Sequence, residues 1–489
     1  MNNNSTKYAE LRERYPEFLY EAFHHEWTAE GLRLWFDFRM GDVVFHPEAF
    51  FEARPFLSCD VPAQVLDRMV FDIGMIELIS YWKCACPPTV KVLCGALTDE
   101  QTAFWRKLYW NGLGEFFYTN GISESPEAFL RVESGEWSVE NGEWRVENGE
   151  RRVENGERRV ENGERRTENK TSQTGGSPFS TLHSPLSTAY LVPIGGGKDS
   201  VVTLELLRRA GKTIRPLIMN PRGATRECAR VAGFPLEEVL VIRRKIDPML
   251  LDLNAKGYLN GHTPFSAMLA FYTRLASALS GIPNVALSNE SSANESTVKG
   301  SYVNHQYSKS LEFEDDFRAY THTNAFNYFS FLRPLSELQI AMLFSRFTAY
   351  HDVFRSCNVG SKEDIWCGHC AKCLFAYIIL SPFIAPERLN AIFGKSMLDD
   401  TTLDLEFRQL LGLAETKPFE CVGTVSEVRQ ALQMAVERWY KDRRPKLLEY
   451  DGTPASHRQI INLEHISPIG NLTEEERQIL QQACTEKNN

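Results

Sequence analysis

The run Tyr190-Leu-Val-Pro-Ile-Gly-Gly-Gly-Lys-Asp-Ser200 does most to limit what this chain can fold into. Its apolar residues read as a short buried strand, its three glycines as a tight turn, and Lys-Asp-Ser as the start of a helix. Glycines let backbone N–H groups approach an anion closely. The helix that follows turns its unpaired N–H groups and positive dipole end towards the same point. On this reading Gly195, Gly196, Gly197, Lys198, Asp199 and Ser200 cradle a phosphate. Lys198 adds a point charge and Ser200 a hydroxyl, while Asp199 caps the helix and is placed to hold Mg²⁺ on the phosphates. A plain strand-to-helix turn would explain the glycines but not the Lys-Asp-Ser that follows them.

The flanking sequence continues the alternation. Ala189–Ile194, Ile214–Met219, Val239–Arg243, Val285–Ser288 and Phe329–Leu332 read as strands. Asp199–Ala210, a stretch from about Thr225, Pro264–Ser280 and Ser336–Phe347 read as helices. The predicted fold class is therefore α/β, a parallel sheet with helices on both faces, whose ligands lie beyond the carboxyl ends of the strands. The loops to watch are Met219–Arg222, Gly261–Phe265 with His262, the polar Ser288–Glu295 with Glu290, and Ser308–Glu314 with Lys309. Lys309 is suited to neutralise phosphate charge, and a glutamate such as Glu290 to move a proton.

Before this unit, residues 1–130 form an N-terminal α+β domain, with a strand over Leu32–Met40 and a helix over Asp67–Tyr81. Its Trp82, Trp105, Trp110 and Phe116 suit core packing, and Cys84, Cys86 and Cys94 suit inert thiols. From Val132 a seven-residue unit, Val-Glu-Asn-Gly-Glu-Arg-Arg at its clearest, recurs with Val139, Val146, Val153 and Val160 in register. One valine per unit is too few for a coiled coil, and Asn-Gly breaks helices. Residues 131–186 thus read as a solvated, disordered linker. The α/β unit takes 187–350, a cysteine element 351–385 and a helical segment 386–489, with a helix over Thr424–Tyr440 and a loosely ordered final stretch. The formal net charge of −10 argues against nucleic-acid binding. With neither an apolar run of membrane-spanning length nor a secretory signal, a cytoplasmic enzyme that binds no membrane is the expectation.

Four of the eleven cysteines, Cys357, Cys367, Cys370 and Cys373, fall within seventeen residues. Four thiolates on two overlapping Cys-x-x-Cys turns suit one tetrahedral, structural Zn²⁺, with Gly368 easing the backbone and an iron–sulfur cluster as the alternative.

Gly195–Ser200 lacks the Gly-x-x-x-x-Gly-Lys-Ser/Thr spacing of the P-loop NTPases. It resembles instead the Ser-Gly-Gly-x-Asp-Ser loop of the ATP pyrophosphatase (PP-loop) superfamily, except that Gly195 stands where a serine is usual. That resemblance implies ATP cleavage to AMP and pyrophosphate, with Asn220 beside adenine and the His262 loop approaching the nucleotide. Val192–Ser200, Leu287–Glu295, Ser308–Glu314, Arg333–Glu337 and Cys367–Phe375 extend the likeness. Across most of the chain outside the repeat it is similar to the UDP-N-acetyl-α-D-muramoyl-L-alanyl-L-glutamate epimerases of peptidoglycan precursor synthesis. The resemblance implies ATP-dependent inversion of the terminal L-glutamate of a UDP-muramoyl dipeptide through an acyl-adenylate. ATP, Mg²⁺ and structural Zn²⁺ are the implied cofactors, with a Glu, Lys or His of the polar loops moving the α-proton. The alternatives are an adenylating enzyme like the 7-cyano-7-deazaguanine synthases, acting on a nucleobase, tRNA or another carboxylate, and a zinc-containing scaffold. Oligomeric state is not readable from the sequence.

Overall fold

Among the described residues there are twelve strands: β1 (Glu17–Thr28), β2 (Gly31–Met40), β3 (Val43–Phe45), β4 (Glu48–Glu52), β5 (Thr89–Ala96), β6 (Arg131–Glu140), β7 (Glu143–Glu147), β8 (Tyr190–Pro193), β9 (Ile214–Met219), β10 (Leu240–Lys245), β11 (Asn284–Leu287) and β12 (Asn327–Ser330). The computed structural model describes residues 4–53, 60–140, 143–147, 188–298, 303–322, 325–449 and 460–486. The last five strands run parallel in the order β12-β11-β8-β9-β10, a doubly wound arrangement in which the chain reverses its direction of travel between β8 and β11.

These strands are apolar on both faces, as burial on both sides requires. Leu191, Leu217, Leu240 and Val285 point into one core with helices Ala63–Trp82 and Phe265–Ser280. Their sequence neighbours Tyr190, Val192, Ile218, Val241 and Ala286 point into the other, against helices Lys198–Arg209, Glu337–Ser345 and Ala371–Leu380. The period of two along each strand divides the molecule into two layers.

The N-terminal residues do not build a sheet of their own. β4 pairs antiparallel with β10 from Phe51↔Ile242 to Glu48↔Lys245, so the sheet continues through β4, β2, β1 and β5 to β6. Trp82, Trp105, Trp110 and Phe116 are buried in the core this creates, as their composition suggested. Burial also pushes the Cys84 thiol up to about 12 and raises Cys86 and Cys94, which suits inert thiols.

Two expectations need correcting. The repeat does not begin as a linker: Arg131–Ser134 pair in parallel with Thr89–Val92, and β6 pairs antiparallel with β7. An Asn-Gly step between alternating residues is as much a hairpin signal as a helix breaker. The later copies of the repeat, in 148–187, lie outside the described residues. Nor is the final stretch loose. Helix Glu474–Thr485 opens with a Thr473/Glu476 capping box, and Glu476 Oε1 accepts a 2.9 Å hydrogen bond from Tyr190 Oη at the start of β8. Among the described residues no helix is long and apolar enough to cross a membrane.

Candidate active site

In an open parallel sheet the crevice for a ligand opens where neighbouring strands send their connections in opposite directions. Here those neighbours are β8 and β11, paired through Leu191↔Val285, and the loops that leave them are Gly195–Gly197 and Ser288–Glu290. The Ser288 hydroxyl oxygen is buried at this point and has no hydrogen-bond partner among the described residues.

Gly196 has φ +82°, and a Cβ there would come within 3.0 Å of Ala224 Cβ, so the turn needs glycine. Gly195 is exposed, with nothing within 4 Å of a notional Cβ. The serine missing here would fit, and its absence removes a hydroxyl without changing the turn. Gly197, not Asp199, is the N-cap of helix Lys198–Arg209. Asp199 lies one residue inside the helix, where a carboxylate favours the dipole without accepting a capping bond. Ser200 Oγ donates back to the Gly197 carbonyl at 3.0 Å.

The loop faces a buried ionic network. Lys198 Nζ lies 2.5 Å from Asp199 Oδ1 and also bonds to Glu337 Oε2. Glu337 opens helix Glu337–Ser345 just after β12. Its backbone N–H donates 2.7 Å to Glu427 Oε1, itself buried within a Thr424/Glu427 capping box. Burial, which Lys198 only partly offsets, together with the nearby Asp199 and Glu290 charges, pushes Glu337 up to about 8. Asp199 moves the other way. Burial opposes its charge, but Lys198, Lys372 and Lys309 together hold it below the usual carboxylate range.

Glu290 is buried, its Oε1 accepting from Ser292 Oγ at 3.2 Å. Lys309 keeps its proton in spite of burial because Cys421, Glu290 and Asp199 surround it with negative charge. Arg333, fully buried, fastens these loops together. It donates to the Glu290 carbonyl (2.8 Å), the Lys309 carbonyl (2.5 Å), Ser330 Oγ (3.1 Å) and Glu314 Oε2 (3.2 Å). Lys198, Asp199, Glu290 and Lys309 thus share one electrostatic environment.

Of the remaining expected residues, Asn220 stands apart from this network and His262 lies at its edge, within reach of the Lys309 charge. Asn220, in the left-handed region at φ +51°, spends its amide on Arg244, donating to its carbonyl at 3.1 Å and accepting from its N–H at 2.7 Å. It pins the ends of β9 and β10 together. His262 lies beside Glu115 and His305, its Nδ1 3.5 Å from Glu115 Oε2.

The four cysteines gather beside the loop. Sγ separations are 3.8 Å for Cys357–Cys370, 3.7 Å for Cys367–Cys373 and 3.5 Å for Cys370–Cys373. A tetrahedron of sulfurs at the zinc–sulfur distance has edges of about 3.8 Å. The set therefore fits a single ion and is too tight to enclose a multi-iron cluster. Gly368 takes φ +71°, and Gly360 N donates to Cys357 Sγ at 3.2 Å. The same segment supports the glycines: Arg355 N donates 2.7 Å to the Gly196 carbonyl, and Asp364 Oδ1 accepts from Ala224 N at 2.9 Å. Lys372, in the first turn of helix Ala371–Leu380, lies over the ring of Phe375, which also faces Lys198.

Sequence reasoning missed Glu337, Glu427 and Lys372 as members of the site. Glu337 carried a usable signal, a carboxylate at the first helical position after a parallel strand. Glu427 carried none beyond its capping box.

A family model described as the MurL N-terminal domain matches residues 9–331, spanning the continuous sheet, and one described as the MurL C-terminal domain matches residues 353–452. Among curated proteins, the UDP-N-acetyl-alpha-D-muramoyl-L-alanyl-L-glutamate epimerase of Salinispora tropica is 35% identical over 388 residues, 78% of this chain and 75% of that protein. Those so named from a Micromonospora species and from Xanthomonas oryzae pv. oryzae are 34% identical over 388 residues (78% and 77% of the two chains) and 32% over 401 residues (79% of each).

Proposed function

We propose, from the premise that this chain belongs to the MurL family of epimerases, that it inverts the terminal L-glutamate of UDP-N-acetylmuramoyl-L-alanyl-L-glutamate after activating that residue's carboxylate with ATP. The observation that carries the ATP-dependent part is the Gly195–Ser200 loop at the switch point, with the cations Lys198, Lys309 and Lys372 gathered on Asp199.

A free carboxylate makes the neighbouring Cα–H a very weak acid, because its removal would leave a dianion. Joining the carboxylate to AMP removes that charge, and the acyl carbonyl can then accept the electron pair left by the α-proton. The chain's part in the first step is electrostatic. Backbone N–H groups at the start of helix Lys198–Arg209, with Lys198 and Lys309, stabilise charge on the departing pyrophosphate. Asp199, partly exposed at the mouth of the loop, is the residue suited to Mg²⁺, which would draw charge from the phosphate oxygens. Water finally releases AMP. The relatives' shared name favours this substrate over a nucleobase or tRNA, and the buried ionic network behind an intact loop is more than a scaffold requires.

The test is incubation with ATP, Mg²⁺ and the UDP-muramoyl-L-alanyl-L-glutamate substrate in heavy water. The expected result is AMP, pyrophosphate and deuterium at the glutamate Cα. ATP cleavage without deuterium would sink the epimerase reading.

Cys357, Cys367, Cys370 and Cys373 would hold one structural Zn²⁺, whose contribution is to fix the fold of the segment that supports Gly196. Elemental analysis should find about one zinc per chain, as a closed four-thiolate site requires. Cys373→Ser should lose the metal and much of the ATP cleavage, since Arg355 and Asp364 would no longer hold the loop. Full metal content in that variant would reject the ligand set.

A further inference from the structure

One cluster remains unused by the adenylating step. Glu115, on helix Gly114–Asn120, bonds through Oε2 to His305 Nδ1, and His305 Nε2 faces Cys421 Sγ at 3.9 Å. The His262 ring packs on His305 with centroids 4.5 Å apart. Carboxylate, imidazole and thiol in that order make up the arrangement that activates a thiolate.

The three groups come from distant parts of the chain, and specific contacts bring Cys421 to the others. Thr416 bridges to Val298, Lys417 N donates 3.1 Å to the Thr297 carbonyl, and Phe419 packs on Tyr118 with ring centroids 5.5 Å apart. On its far side, Gln306 Nε2 donates 3.2 Å to the Val422 carbonyl and Lys372 Nζ bonds to the Cys421 carbonyl. The Lys309 ammonium is near enough to feel the charges of Cys421, Glu290 and Asp199 together. Cys421 therefore lies between the His305–Glu115 pair and the phosphate loop. It remains partly exposed, whereas Cys84, Cys86, Cys228 and Cys484 are buried.

The charges agree with this placement. Burial would raise the Cys421 thiol, but Lys309, the His305 hydrogen bond and Lys372 pull it down to about 6. Burial would lower His305, but Cys421 and Glu115 push it up to about 9. Each charge favours the other, which tilts the pair towards thiolate and imidazolium. His262 is half-buried, and its desolvation with the nearby His305 and Lys83 charges pulls it down to about 3.

We propose that Cys421 is the acid–base group that exchanges the α-proton of the substrate, with His305 and Glu115 as positioning residues. The proposal rests on the acyl-adenylate reading above. The thiolate takes the proton as the Cα–H bond breaks, the electron pair moves into the adjacent acyl carbonyl, and an S–H bond forms. A solvent-derived proton delivered to the opposite face by another donor re-forms the C–H bond with inverted configuration.

The heavy-water assay separates the two steps in one sample. Cys421→Ser should still release pyrophosphate, which also shows that it is folded, while deuterium incorporation at Cα falls by roughly 10²-fold or more, the usual worth of a positioned base. His305→Gln should keep pyrophosphate release and move the acid limb of the exchange rate. That rate rises with pH as the thiolate forms, so loss of the imidazolium shifts the limb above about 6, with Lys309, Lys372 and Glu420 still facing the sulfur. Wild-type deuterium incorporation by Cys421→Ser would overturn the proposal. So would a thioester trapped on Cys421, or an equal loss of both steps in both variants, which would mark a structural role. Absence of pyrophosphate release by the unaltered protein would instead fault the adenylate reading.

Discussion

Asp199→Ala is expected to reduce pyrophosphate release by on the order of 10³-fold, comparable to losing a preorganised electrostatic contact in an enclosed site. On the proposed reading, the side chain would act on the developing charge through two routes. It is the carboxylate at the mouth of the glycine loop suited to Mg²⁺, and it is the partner that keeps Lys198 turned towards the loop. Without it, Lys198 would pair with Glu337 alone, and its charge would be drawn into the protein. The fold should be little affected. Asp199 accepts no capping bond and its side chain is 28% exposed, so the stability change should stay within about 1 kcal/mol, the worth of a carboxylate in a first helical turn. Asp199→Asn keeps the shape and should be as inactive. A coupled pyrophosphate assay beside a denaturant titration checks both halves, and near-normal turnover in either variant would reject the loop assignment.

Arg333→Leu should show the reverse pattern, a large loss of stability. Its guanidinium is wholly buried and donates to two carbonyls, a hydroxyl and Glu314. Removing one member of a buried ion pair leaves the other uncompensated and costs about 3–5 kcal/mol. Asn471 Nδ2 donates to Glu314 Oε1 at 3.0 Å, but an amide does not replace the lost positive charge. The carbonyls of Glu290 and Lys309 would also lose donors, loosening both loops that face the Gly195–Ser200 turn. Arg333→Lys should recover only part of this, since an ammonium cannot reproduce a fork of planar donors. Equilibrium unfolding in urea is the measurement, and a change below about 1 kcal/mol for Arg333→Leu would contradict this account.

The parts of this site that could be read from the sequence are those written in local patterns. A strand, three glycines and a helix start identified the Gly195–Ser200 loop, and strand-helix alternation placed Ser288–Glu295 at a strand's carboxyl end beside it. Cysteine spacing brought four thiols together without further help. What could not be read depends on contacts between distant residues. Glu115, His305 and Cys421 are separated by long stretches of chain and share no motif, so nothing local marks Cys421 apart from the other cysteines. Aspartate is often a helix cap, but this turn is built so that Gly197 takes that position and Asp199 falls inside the helix. The start of the repeat departs from a linker for a similar reason: Arg131–Ser134 form a strand because β5 offers them an open edge.

The pairing of β4 with β10 bears on motion as well as shape. Two lobes joined by a flexible strap can swing apart to admit a ligand, but here the junction is a ladder of backbone hydrogen bonds within a single sheet. A hinge at that point would have to break the ladder. Access to the Gly195–Ser200 loop therefore does not come from a swing of the N-terminal strands about this junction.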